Sequence, residues 1–241
     1  MRYRLLLFLL VLTSAMIWSC QPSASSEQTG TSANTPATEP APNAPEDTIP
    51  ETKALVKEKE MYENTNRMVW QKPEMILSML GDLENKTVAD IGAGTGFFAK
   101  RLTQKAAKVI AIDIDQRFLN YIDSVKVLEM DETAARRLET RLASPTHPNL
   151  APEEADVIMI VNTFMYIQDK DSYLKTLRQC LSANGTLMIV DFKRKRTNIG
   201  PPSAIRLPLY ELEEMMYENG YTNIKTNDTV LDYQYIITAR K

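Results

Sequence analysis

From Thr87 onward, apolar residues fall in short unbroken blocks, and the stretches between the blocks carry a helical spacing. VIAI in Val109–Ile112 and the run Val157–Val161 contain no polar residue, and VADI in Thr87–Ile91 is interrupted only by Asp90. All three read as strands, and the continuous run Val157–Val161 suits one covered on both faces of a parallel sheet. Phe97–Ala106, Gln116–Val127 and Ser172–Leu181 instead place apolar side chains three and four residues apart, which predicts helices. Two more helices are expected ahead of the first strand, at Lys53–Asn64 and Pro73–Leu80, the second with Ile76, Leu77 and Leu80 on one face.

Further along, Asn184-Gly185 reads as a helix stop before a strand at Thr186–Phe192, and Asn219-Gly220 ends a helix at Leu209–Glu218. Tyr221–Asn227 and Asp232–Ala239 then read as a hairpin. Leu128–Leu142 is mixed: Asp131–Arg137 holds helix formers, and Leu138–Ala143 alternates as a short strand does. Seven strands alternating with helices predict an α/β fold, a doubly wound, Rossmann-like, mostly parallel sheet with an antiparallel edge strand.

The first 50 residues follow other rules. Arg2 and Arg4, the apolar run Leu5–Leu12 and the small and polar Thr13–Cys20 are ordered as a secretory signal, expected over residues 1–19. The apolar run is shorter than the roughly 20 residues that span a bilayer. Ile17-Trp18-Ser19-Cys20 resembles the lipobox of bacterial lipoproteins, which implies a lipid on Cys20; an ordinary signal peptide with an incidental cysteine is the alternative. Gln21–Pro50 contains six of the 13 prolines and no aromatic or basic residue, so residues 20–50 read as a disordered tether, reaching roughly 30 Å as a coil.

Residues 51–241 then form one domain, with N-terminal helices over 51–85. It carries 26 basic and 27 acidic residues, a balance without the basic field that draws in nucleic acid. Cys180 lies in an expected helix and has no disulfide partner besides Cys20.

Three of the eight glycines stand at Gly92, Gly94 and Gly96, between a strand and a helix. Such a turn sets backbone N–H groups and a helix N-terminus at the carboxyl edge of a sheet, where a nucleotide-like ligand is expected. Asp113 ends the next strand, 21 residues after Gly92, where a carboxylate can accept from both hydroxyls of a ribose. Dinucleotide dehydrogenases space their glycines as G-x-G-x-x-G, and Phe97 occupies that third place here. Asp90 adds a carboxylate before the turn, suited to a ligand with an amino group and a positive charge.

VADIGAGTG resembles the first motif of the class I S-adenosylmethionine-dependent methyltransferases, AIDID their acidic second-strand motif, and VIMIVNTF and GTLMIVDF their fourth and fifth strands. The resemblance covers about Met68–Lys241, and WQKPEMIL and IGPPSAIRL are similar to a bacterial subgroup acting on small molecules. It implies S-adenosylmethionine as cofactor, with Asp90, Gly92, Gly94 and Gly96 at its methionine portion and Asp113 at its ribose. Adenine would lie by Ala143-Ser144-Pro145, with Ser144 where many relatives carry an acid. Asn162 would face the cofactor or the methyl acceptor, a capping or turn role being the alternative.

A sulfonium leaves readily, so methyl transfer depends chiefly on alignment and exclusion of water, and no metal is expected. An oxygen acceptor still needs a general base. Tyr166 and Asp191, each just past the carboxyl end of a strand, are the candidates, and His147 reads as a surface residue between prolines. Trp70-Gln71 could close over the cofactor or pack the preceding helix on the sheet. Lys193–Arg196 could attract anions or lipid headgroups or form a solvated loop.

Together these features predict an envelope-tethered methyltransferase, anchored to a membrane through Cys20, with its domain outside the cytoplasm and a small-molecule acceptor. A catalytically inactive adenosine-ligand-binding module and an NAD-dependent oxidoreductase are the alternatives.

Overall fold

The computed structural model describes residues 66–197 and 199–241. The expected helix at Lys53–Asn64, the signal, Cys20 and the tether lie outside the described residues. Seven strands form one sheet: β1 (Thr87–Ile91), β2 (Lys108–Asp113), β3 (Leu138–Leu142), β4 (Ala155–Val161), β5 (Leu181–Phe192), β6 (Thr222–Asn227) and β7 (Gln234–Arg240). Their order is β3-β2-β1-β4-β5-β7-β6. The first five run parallel, and β7 pairs antiparallel with both β5 and β6. The sheet is thus the predicted one, with the reversed strand one place in from the edge.

Helices α1 (Arg67–Gln71), α2 (Pro73–Ser78), α3 (Phe97–Leu102), α4 (Gln116–Leu128), α5 (Glu132–Arg137), α6 (Lys170–Cys180) and α7 (Leu209–Glu218) cover the two faces. From Val157 to Val161, side chains of β4 divide by strict alternation. Ile158 and Ile160 join the core beneath α6 and α7, with Leu174, Leu177, Leu212 and Met216. Val157, Met159 and Val161 join the opposite core, with Ile76, Leu77, Phe98, Leu102 and Ile122 from α2, α3 and α4. Burial on both sides is why these strands read as continuous apolar blocks.

Helix starts follow local capping chemistry: Asp115 accepts from the Arg117 amide at 2.9 Å, Asp131 from those of Thr133 and Ala134, and Asp169 from that of Ser172. The ambiguous stretch resolves into a one-and-a-half-turn helix, α5, running directly into β3. Asn184-Gly185 does not stop a helix as expected. Helix α6 ends at Cys180, Leu181 already pairs with Ala155, and the Asn-Gly pair sits in β5 where the register with β4 shifts. The extra residues are absorbed as a strand irregularity, a feature set by the neighbouring strand rather than by local sequence.

Candidate functional site

The chain runs outward from β1 to β2 and β3, then returns to place β4 on the other side of β1. Loops at this reversal diverge and leave a crevice at the carboxyl ends of the strands. A cleft of about 380 Å³ opens there, walled by the turn after β1, the end of β2 with Phe118, the Ala143–Pro145 segment after β3, and Asn162, Thr163 and Tyr166 after β4.

The glycine turn is shaped by two different demands. At Gly92, with φ +77°, a Cβ would stand 2.1 Å from the Thr163 hydroxyl, so this glycine admits a neighbouring loop of the protein itself. At Gly94, φ is +53° and a Cβ would meet nothing within 4 Å; this glycine faces the cleft, where a ligand can approach the backbone. Gly96 starts α3 and lies against Ile122, behind the cleft wall rather than on it.

Asp113 binds the same turn. One carboxylate oxygen accepts from the Gly94 amide at 2.8 Å and the other from the Asp115 amide at 3.0 Å. Each oxygen keeps further acceptor capacity, and the residue lines the cleft. Burial raises its pKa, while the Asp115 and Gly94 amides oppose the shift.

Asp90 is buried behind the turn and is not part of the cleft wall. Among the described residues its Oδ2 has no hydrogen-bond partner. Desolvation pushes its carboxyl up to about 7; the Arg67 guanidinium lowers it and the Asp113 charge raises it.

The remaining candidates separate. Ser144 lines the cleft at the foot of a small turn, its amide donating to the His147 carbonyl at 3.1 Å. His147 is exposed and away from the cleft wall, its Nδ1 accepting from the Asn149 amide. Tyr166 stands at the cleft with 57% of its surface exposed.

Asp191 is 0% exposed and does not reach the cleft, which corrects its expected place as a base beside the acceptor. It lies on the core side of the loop after β4, where Oδ2 accepts from the Met165 amide at 3.0 Å and, among the described residues, Oδ1 has no partner. Burial pushes its carboxyl up to about 8, against the Met165 amide and the Lys170 charge.

Several contributors carried no local signal. Arg67 lines the cleft and lies 4.0 Å over the Phe97 ring. Trp70 does not cap the cofactor region: it packs 5.7 Å from Phe192 and 6.2 Å from Tyr233, and Gln71 is fully buried. Lys193 turns inward to the carbonyls of Asp228 and Leu231, leaving Arg194, Lys195 and Arg196 exposed. Arg206, nearly fully buried, ties down the loop after β5 with bonds to the carbonyls of Lys193, Lys195, Ile199 and Pro201 and to the Thr197 hydroxyl. Its position was visible only as part of IGPPSAIRL. Among the described residues no group of His, Cys, Asp and Glu could hold a metal.

Comparison with known proteins accords with this geometry. Residues 89–189 match the family described as a methyltransferase domain. A ribosomal RNA small subunit methyltransferase A of Koribacter versatilis is 32% identical over 109 residues, 42% of this chain and 38% of that protein. A crystal structure of a SAM dependent methyltransferase from Aquifex aeolicus superposes with TM-score 0.67 at 23% identity, covering 78% of this chain and 97% of the other. Phosphoethanolamine N-methyltransferase 2 of Haemonchus contortus, solved with S-adenosyl-L-methionine, superposes with TM-score 0.64 at 13% identity over 78% of this chain and 57% of the other. The chain spans about half or less of the length of the curated relatives it matches. Residues 89–189 thus resemble a methyltransferase domain, within a chain that has the fold of the S-adenosylmethionine-dependent methyltransferases.

Proposed function

We propose that this chain transfers a methyl group from S-adenosylmethionine to a small-molecule acceptor in the cleft after β1, β2 and β4. The observation that carries the reading is the pairing of Asp113 with the Gly94 amide on one cleft wall. It leaves two carboxylate oxygens beside a glycine with open space where a side chain would stand. That arrangement fits the cofactor: Asp113 would take the ribose hydroxyls, and Ile114, Phe118, Ala143 and Ser144 would flank the adenine. Asp90, buried behind the turn with an oxygen unpartnered among the described residues, would add negative charge at the cofactor's positive end when ionised.

When bound, the cofactor supplies a methyl carbon on a positively charged sulfur. The chain's own residues would have to hold the acceptor in line with that carbon and let its proton pass to solvent or a base. The protein's task is therefore to align and to dry the site. Tyr166, at the cleft and more than half exposed, is placed to meet the acceptor. Asp191 is a positioning residue, holding the Met165 amide and with it the loop that carries Tyr166.

The tether and its anchor belong to the same proposal: a lipid on Cys20 holds the domain at a bacterial envelope membrane, outside the cytoplasm. Its support is the signal-like order of residues 1–20 and the composition of residues 21–50. Two experiments test the reading. Calorimetric titration with S-adenosylmethionine, S-adenosylhomocysteine and NAD should show saturable binding of the first two, lost in Asp113→Ala; binding of NAD alone would reject it. Metabolic labelling with palmitate should mark the chain and not Cys20→Ala, and labelling of both would remove the anchor.

A further inference from the structure

Gln71 and Gln234 are both 0% exposed, and both belong to one directed chain of hydrogen bonds. Arg67 Nε donates to Gln71 Oε1 at 2.6 Å, Gln71 Nε2 donates to Gln234 Oε1 at 3.2 Å, and Gln234 Nε2 donates to Asn162 Oδ1. The chain joins α1, ahead of the sheet, to the first residue of β7 and the loop after β4.

An isolated carboxamide can turn over and exchange its donor for its acceptor at little cost. These three cannot do so independently. A guanidinium has donors only, so Gln71 must present oxygen to Arg67 and nitrogen to Gln234. Gln234 must then present oxygen to Gln71 and nitrogen to Asn162, and reversal of any one amide sets two like groups face to face in a buried site. The last link, Asn162, lines the cleft in a left-handed conformation, φ +58°, and that backbone state limits its side chain's alternatives. With Oδ1 taken by Gln234, Nδ2 is the group left for the cleft.

We propose that Arg67, Gln71 and Gln234 are positioning residues that fix Asn162 as a hydrogen-bond donor toward the methyl acceptor, so that the group recognised there is a lone-pair-bearing oxygen. An ammonium or another N–H donor would meet like with like. The proposal deepens the methyltransferase reading and rests on it for the identity of the acceptor, but the polarity of the chain can be tested without any ligand.

The test is side-chain amide NMR on the purified chain. In the unmodified protein the Nε2 protons of Gln71 and Gln234 should resist exchange with water, while those of Asn162, assigned by their loss in Asn162→Asp, exchange freely. Gln71→Glu, beside Arg67 and outside the cleft wall, leaves two acceptors at position 71. Gln234 must then turn to donate to them, its oxygen must take Asn162 Nδ2, and the Asn162 protons should become protected. Gln234→Glu should do the same from the other side, so one variant failing to fold leaves the other to decide.

With S-adenosylhomocysteine bound, 4-methylanisole, whose ether oxygen only accepts, should shift the Asn162 Nδ2 resonances and bind about tenfold more weakly to Gln71→Glu. Affinity for S-adenosylhomocysteine itself should change by less than about twofold. Protected Asn162 protons in the unmodified chain, no change in either variant, or benzylammonium binding there in preference to 4-methylanisole would overturn the proposal. Failure to bind S-adenosylhomocysteine with the exchange pattern intact would instead count against the methyltransferase reading alone.

Discussion

The two flanks of the cleft are built differently. The flank formed by the ends of β1 and β2 comes from one continuous stretch: Gly92, Gly94, Asp113 and Phe118 lie within 27 residues, tied by local bonds such as Gly94 to Asp113. The flank toward β5 and β7 is assembled from Arg67, Gln71, Asn162, Asp191, Arg206 and Gln234, brought together over as many as 163 residues in a single bond. The first flank depends on backbone shape, so a motif can announce it. The second depends on buried polar side chains satisfying one another, and no local pattern marks it.

The largest effect on this contrast should come from Arg206. Replacing it with Met would leave four carbonyls and a hydroxyl of the loop after β5 without their donor. The expected cost is on the order of 3 kcal/mol, read from the urea midpoint, with S-adenosylhomocysteine binding largely kept because the first flank is untouched. A midpoint within experimental error of the parent would show that the loop is not tied by this side chain.

Gly92→Ala and Gly94→Ala should divide along the same line. The first drives a methyl group into Thr163 and should cost roughly 2–3 kcal/mol of stability, partly recovered when Thr163→Gly is added. The second meets nothing within 4 Å, so it should cost about 1 kcal/mol in backbone strain yet weaken cofactor binding disproportionately. Equal stability losses with equal binding would remove the distinction between a packing glycine and a ligand glycine.

Asp113→Ala should weaken S-adenosylhomocysteine binding about tenfold or more, the value of hydrogen bonds to a charged group. On the other flank, Asp191 acts on stability through pH. Its folded carboxyl is pushed up to about 8 from the ordinary value of 3.8, so between those values the unfolded chain has released a proton that the folded chain still holds. Stability from this group is therefore full below about pH 4 and declines as pH rises toward 8. Asp90, pushed up to about 7, adds a decline of the same sign that is complete about one unit earlier. Asp191→Asn should flatten a melting-temperature profile between about pH 4 and 8; an unchanged slope there would mean the carboxyl ionises normally.

Much of the fold was legible because its signals are local. Strands β1 and β4 are covered on both faces and so read as apolar blocks, and Asp115 and Asp131 mark helix starts with their own side chains. The Asn184-Gly185 pair misled because its place in β5 follows from pairing with β4 rather than from its turn chemistry. For the same reason Asp191, at the carboxyl end of β5, proved to hold Met165 from beneath the loop rather than to face the cleft.

By itself the sequence determined the alternation of strands and helices, the glycine turn and the carboxylate at the end of β2, because each follows from residues close along the chain. Tertiary structure alone decided which glycine faces the protein and which the cleft, that Trp70 packs on Phe192, and that Asn162 ends a chain beginning at Arg67. Those outcomes turn on which buried donor finds which acceptor, and that is settled only when distant segments leave water together.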